Sequence, residues 1–287
     1  MVPRRSWVPV TMVAVMAFAA PLFAGTFTGP VSPYYLSNLN DQTIYVVQGT
    51  QVIATFSWAY PGSGTNSDGV LAIAGPYVYT RETSGGATGG GQYTLNGAPT
   101  GSTDSYPLPV GIAQENSFDG TSDGTHNYYV QTAADAVNGS TAENVYRTSL
   151  DWSNPVFLFS VLSQPGASGE YFGITYDPDD NSLWLSGVWT MSHYSLDGTL
   201  LDYFPLLVPA ATALAYDGAD HTLWTTYYGS PVLVQYALDG TPLQYGTPTG
   251  LPQDGIFTSG EIAPEPGLFV AVGCALLAGG LIRRRRR

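Results

Sequence analysis

Gly173-Ile-Thr-Tyr-Asp-Pro-Asp-Asp-Asn-Ser-Leu-Trp-Leu-Ser186 and Ala213-Leu-Ala-Tyr-Asp-Gly-Ala-Asp-His-Thr-Leu-Trp-Thr-Thr226 decide the fold, because they are one segment written twice. Tyr176, Asp177, Asp180, Leu183 and Trp184 recur as Tyr216, Asp217, Asp220, Leu223 and Trp224. Each segment leads to a second shared block, Tyr194-Ser-Leu-Asp-Gly-Thr199 and Tyr236-Ala-Leu-Asp-Gly-Thr241. That block returns upstream as Tyr45-Val-Val-Gln-Gly-Thr50, as Tyr93-Thr-Leu-Asn-Gly-Ala98 and, further departed, as Thr148-Ser-Leu-Asp-Trp-Ser153. Its turn position falls at Gln48, Asn96, Asp151, Asp197 and Asp239, so the chain holds five units of 42 to 55 residues.

Asp-Gly or Asn-Gly between alternating apolar residues supplies the positive φ of a two-residue hairpin, which makes each block a strand, a tight turn and a strand. About four short strands per unit at this period is the pattern of a β-propeller blade, whose sheet faces can be buried only against neighbouring blades. The expected fold is therefore all-β, a propeller of five blades. A six-bladed ring, or an all-β sandwich suggested by the unequal spacing, is the alternative. Trp184, Trp224 and Tyr129 are expected to fill the spaces between blades. The first block lies too close to Gly25 to own its inner strands, and the segment from Gly255 to Ile262 is left over at the other end. The leftover piece is expected to complete the first blade and close the ring.

Composition agrees. Gly (34) and Pro (21) are abundant, charged residues are 11%, and 6 Trp, 20 Tyr and 11 Phe provide ample core. The chain has no lysine, and between Gly25 and Ala263 only Arg81 and Arg147 stand against 21 acids, a net of −19. That field repels nucleic acid, which is excluded as a partner. The single cysteine, Cys274, lies outside this stretch, so the body has no disulfide, thiolate metal site or catalytic cysteine.

The ends read as addresses. Residues 1–24 place Arg4 and Arg5 before an apolar run from Val8 to Ala20 and a small-residue exit at Ala24, the order of a signal peptide with its helix. Arg4-Arg5-Ser6-Trp7-Val8 also resembles a twin-arginine export signal, so the export route stays open. The body spans 25–262. In 263–287, Pro264-Glu265-Pro266 precedes an uncharged span, 267–282, read as a transmembrane helix, and then Arg283, Arg284, Arg285, Arg286 and Arg287, which fix the topology by staying in the cytoplasm.

This tail resembles the PEP-CTERM sorting signal. The resemblance implies an exosortase-type processing enzyme as partner, a Gram-negative host that builds extracellular polysaccharide, and membrane attachment through the C-terminal helix until the tail is removed. A plain tail anchor is the alternative. The doubled motif over residues 173–249 resembles NHL-type and lactonase-type propeller repeats.

No catalytic residue, cofactor or metal site is assigned. Asp177-Pro-Asp-Asp-Asn181 offers oxygen ligands for calcium but reads as a turn. His126, His193 and His221 fall in different units with no metal-ligand spacing, and no Gly-x-Ser-x-Gly elbow is present. Two functions remain. The first is a non-enzymatic surface or matrix module for polysaccharide or surface proteins, with Tyr227 and Tyr228 suited to sugar stacking. The second is a secreted metal-dependent hydrolase, implied by the lactonase resemblance, with Glu115, Asp177, Asp217 and Glu261 approaching the central channel.

Overall fold

The computed structural model describes residues 26–58, 68–82, 90–103, 115–134, 141–161 and 171–263. The stretches read from sequence as a signal peptide (1–24), a sorting motif (264–266), a transmembrane span (267–282) and an arginine stop (283–287) lie outside them. Among the described residues no helix is long and apolar enough to cross a membrane.

Five antiparallel sheets form the five blades of a β-propeller. Blade 1 contains β1 (Tyr34–Asn38), β2 (Thr43–Gln48) and β3 (Gln51–Ser57). Blade 2 is β4 (Asp68–Ala74), β5 (Tyr77–Glu82), β6 (Gly91–Thr94) and β7 (Pro99–Thr103). In blade 3 the inner position is split between β8 (Glu115–Asn116) and β9 (Gly120–Ser122), both paired with β10 (Asn127–Ala134); β11 (Thr141–Thr148) and β12 (Val156–Ser160) follow. Blade 4 is β13 (Tyr171–Asp177), β14 (Ser182–Gly187), β15 (Thr190–Ser195) and β16 (Leu200–Pro205). Blade 5 is β17 (Ala211–Asp217), β18 (Thr222–Tyr227), β19 (Leu233–Ala237) and β20 (Pro242–Gly246). The last strand, β21 (Phe257–Ile262), returns to pair with β1 as the inner strand of blade 1. The leftover segment thus closes the ring as expected, although blade 1 was short of one strand and not several.

Strand alternation explains why there is no single central core. Leu183 and Leu185 point from β14 toward blade 3, joining Tyr128, Val130 and Phe159, whereas Trp184 points the other way, joining Leu214 and Tyr236. One repeat later Leu223 faces blade 4 and Trp224 faces blade 1, against Tyr34, Leu36 and Phe257. Each of the five interfaces holds one such cluster, and Tyr129 packs with Trp152 between blades 2 and 3.

The outer hairpins correct the expected turn type. The N–H groups of Gly97, Gly198 and Gly240 donate to the carbonyls of Thr94, Ser195 and Ala237, each at 2.9 Å. Of the turn residues only the glycines have positive φ (82°, 86° and 84°), the arrangement of a turn closed by a glycine bulge. The preceding aspartate keeps negative φ because its carboxylate caps the turn, Asp197 accepting from Thr199 N–H (3.1 Å) and Asp239 from Thr241 N–H (2.9 Å). In blade 3, Trp152 takes the glycine's place at φ 61° and its ring is buried.

These glycines also seat the neighbouring blade. A Cβ at Gly97, Gly198 or Gly240 would lie 2.3–2.5 Å from the side chain of Phe56, Phe159 or Phe204, each on the outer strand of the preceding blade. Gly240→Ala therefore combines left-handed strain with a collision and is expected to cost about 2–4 kcal/mol, read by thermal melting.

Candidate functional site

A propeller's usual place for chemistry is its axis, and here the axis is occupied by the protein itself. Asp119, fully buried just before β9, receives five hydrogen bonds. Its Oδ2 accepts from the N–H groups of Ile174 (3.2 Å) and Leu214 (2.8 Å). Its Oδ1 accepts from the N–H groups of Gly120 and Gly260, both at 3.0 Å, and from the Ser259 hydroxyl at 2.6 Å. Ser259 Oγ in turn accepts the N–H of Leu71 at 2.9 Å. One carboxylate thereby reaches the inner strands of all five blades, the fifth through Ser259. Below it, Thr121 Oγ1 accepts from Tyr176 N–H and Thr175 Oγ1 from Tyr216 N–H, both at 3.0 Å.

Burial pushes the Asp119 carboxyl up to about 8 against the opposing pull of its donors, and burial also raises Glu261. An acid whose folded pKa is raised loses its proton first in the unfolded chain, so stability falls as pH rises from about 4 to about 8. Asp123 and Asp179, held low by hydrogen bonds from Tyr128 and Tyr216 respectively, act oppositely and lose their contribution as pH falls through the acid range. Melting at pH 5 is therefore expected about 5 °C above melting at pH 8.5, and Asp119→Asn should flatten that difference.

Asp177, Asp217 and Glu261, three of the four acids assigned to a channel, are each bonded to other groups and form no shared ligand set among the described residues. Asp177 accepts from Asp179 N–H (3.0 Å) and from the Trp184 indole (3.3 Å). Asp217 is capped by the hydroxyl of Ser32 at 2.9 Å and its N–H at 3.3 Å. Glu261 bonds to Thr121. The Glu115 side chain lies outside the described residues. Among the described residues one group alone has the geometry to hold a metal, and it is elsewhere: Asp177, Asp180 and His193 on the rim of blade 4.

Sequence spacing missed this group because β14 and β15 pair Trp184 with His193, stacking the rings at 4.0 Å and 5° and carrying the imidazole to the Asp177–Asn181 turn. Ser182 Oγ lies 2.5 Å from His193 Nε2 and also donates to Asp180. The set has the composition of a nucleophile triad but not its geometry. Asp180 approaches the same nitrogen as the serine, at 3.3 Å, and cannot orient the imidazole from behind. Burial holds His193 below the ordinary imidazole value, against the pull of Asp180, Asp177 and Asp202. The other histidines are on turns, His221 Nδ1 meeting Asp179 at 2.6 Å and His126 lying beside Asp123.

The opposite rim carries exposed aromatics. Trp189 (48% exposed) sits on the β14–β15 turn and Tyr228 (46%) on the β18–β19 turn, while Tyr227 is buried at 8%. The loop between them is stitched to both turns: Leu206 N–H donates to the Trp189 carbonyl (2.8 Å) and Tyr228 N–H to the Ala210 carbonyl (2.9 Å). Residues 203–215 and 225–233, which build this rim, contain no charged side chain.

The fold defines the class, a five-bladed β-propeller with a closed axis. No protein-family model and no curated protein matches the sequence. Among solved structures, the chain is similar to a crystal structure of a nidogen/laminin complex at 12% identity, with 82% of this chain and 86% of that chain covered and a TM-score of 0.51. It also matches a streptogramin B lyase (17%, 77% and 70%, TM-score 0.43) and virginiamycin B lyase from Staphylococcus aureus (16%, 77% and 71%, TM-score 0.40). At these identities the likeness is one of fold.

Proposed function

We propose that this chain is an exported β-propeller of the cell surface or extracellular matrix, sorted through Pro264-Glu265-Pro266 and Arg283–Arg287 by an exosortase-type enzyme, and that it is a non-enzymatic binding module for polysaccharide. The observation that carries the reading is Asp119: the position where a propeller hydrolase would gather acids around a metal is filled by a carboxylate spent on five internal hydrogen bonds. The uncharged rim around Trp189 and Tyr228 supports a sugar, whose faces stack on exposed aromatic rings. The ring's last described bond runs from Ala263 N–H to the Pro33 carbonyl, so the motif starts one residue beyond it and processing there leaves every blade intact.

Affinity electrophoresis of the protein through the host's extracellular polysaccharide tests the binding half. Retardation is expected, and Trp189→Ala with Tyr228→Ala should weaken it about tenfold or more. Unretarded migration of the intact protein removes the polysaccharide assignment. Intact mass from the native host should show loss of the chain beyond the Pro264–Pro266 region; a full-length mass would leave a plain anchor.

A further inference from the structure

We propose that Asp177, Asp180 and His193 form a binding site for a divalent cation of the zinc type, at the β13–β14 turn end of blade 4. One ligand atom from each lies within 4.8 Å of the other two. Two of the three residues are buried, Asp177 at the end of β13 and His193 in β15, while Asp180 is a half-exposed turn residue free to close on an ion. Metal–ligand bonds of about 2.0–2.2 Å bring the donors of a tetrahedral site to about 3.5 Å apart, a contraction that rotation of Asp180 supplies. Two carboxylates and an imidazole favour a borderline ion over a hard one, and water would complete the coordination.

The repeat provides an internal control. In blade 5 the same positions are Asp217, Asp220 and Gln235, with Thr222 where blade 4 has Ser182. There the acceptors are satisfied by protein. Ser32 caps Asp217 with its hydroxyl and N–H, and the Gln235 amide donates to Asp220 at 2.9 Å and to Thr222 Oγ1 at 2.8 Å. Among the described residues no such segment reaches Asp177 in blade 4, which at 2% exposure receives one backbone N–H and a long indole contact. The position held by Gln92, Arg147 and Gln235 in blades 2, 3 and 5 is held by His193 in blade 4, the one side chain of the four that ligates a metal well. Stacking on Trp184 fixes its ring plane, and the Ser182 hydroxyl on Nε2 is replaced by the ion while still bonded to Asp180.

Calorimetric titration of the chelator-treated full-length chain in detergent with ZnCl₂ tests the site, with Co²⁺ as a spectroscopic probe of imidazole ligation. One equivalent of Zn²⁺ is expected to bind, and His193→Gln, which installs the blade 5 residue, should weaken it at least about tenfold. Asp180→Asn, at a half-exposed turn position, should do the same without loss of fold, and His221→Gln should leave binding unchanged. Absence of bound Zn²⁺ in the folded protein overturns the proposal, as does binding that survives both His193→Gln and Asp180→Asn. Binding lost only in His221→Gln assigns the ion to the neighbouring turn and overturns it equally.

Discussion

Asp119→Ala is expected to lower the stability of the propeller by about 5 kcal/mol, or about 10–20 °C in melting temperature, and to abolish the folded state under mild denaturant. The substitution removes the shared acceptor of four backbone N–H groups and one hydroxyl, all in the buried centre of the ring. Each donor left without a partner costs about 1–3 kcal/mol, discounted for a water that the vacated space can admit. The loss is not confined to one blade, since the same carboxylate spans the inner strands of blades 3, 4, 5 and 1 and reaches blade 2 through Ser259. Asp119→Asn should cost about half as much, because one acceptor oxygen survives while the new NH₂ faces amide donors. Near-UV circular dichroism through a thermal melt reads both. An Asp119→Ala melt within 3 °C or so of wild type would mean that the axis is not what binds the blades together.

A chain ending at Gly255 should show no cooperative unfolding transition at all. It lacks β21 and with it Phe257 and Ile262, two buried side chains in the interface of blades 5 and 1, worth about 2–3 kcal/mol each. It also lacks two of the five donors to Asp119 and exposes the inner edge of β1. Together these exceed what is left of a typical stability of about 5–15 kcal/mol. A chain ending at Ala263 keeps every bond among the described residues and is expected to melt with the full-length protein. Similar melts for both truncations would show that the ring does not depend on its closing strand.

Both predictions concern contacts that differ in how far sequence could disclose them. The closing strand was legible, because the first block lacked a partner strand and Gly255–Ile262 had no block of its own. The outer hairpins were legible as well. Glycine at positive φ is a local requirement, and Gly49, Gly97, Gly198 and Gly240 stand where it is needed. Even the departed third unit was placed correctly, with Trp152 accepting the glycine conformation so that its ring can fill the gap beside Tyr129.

The candidate sites were not legible to the same degree. Asp119-Gly120 reads like one more turn dipeptide, and its partners are 55, 95 and about 140 residues away. His193 reads as one polar residue in an alternating strand, yet the pairing of β14 with β15 sets it on Trp184 beside two aspartates. Tyr227 and Tyr228 are adjacent in sequence, and only the end of β18 separates the buried ring from the exposed one. Trp189 gave no signal of its own, because its exposure depends on how the loop at Leu206–Ala210 runs between two blades.

The amino-acid sequence by itself determined the repeat and the positions of the turns, which follow from patterns within about fifty residues, and it pointed to five blades and to a leftover strand that shuts the ring. Only the tertiary structure decided what occupies the axis, which acids stay apart and which histidine meets them. Those outcomes depend on burial and on hydrogen bonds between different blades, and closing the ring brings together groups that no local pattern connects.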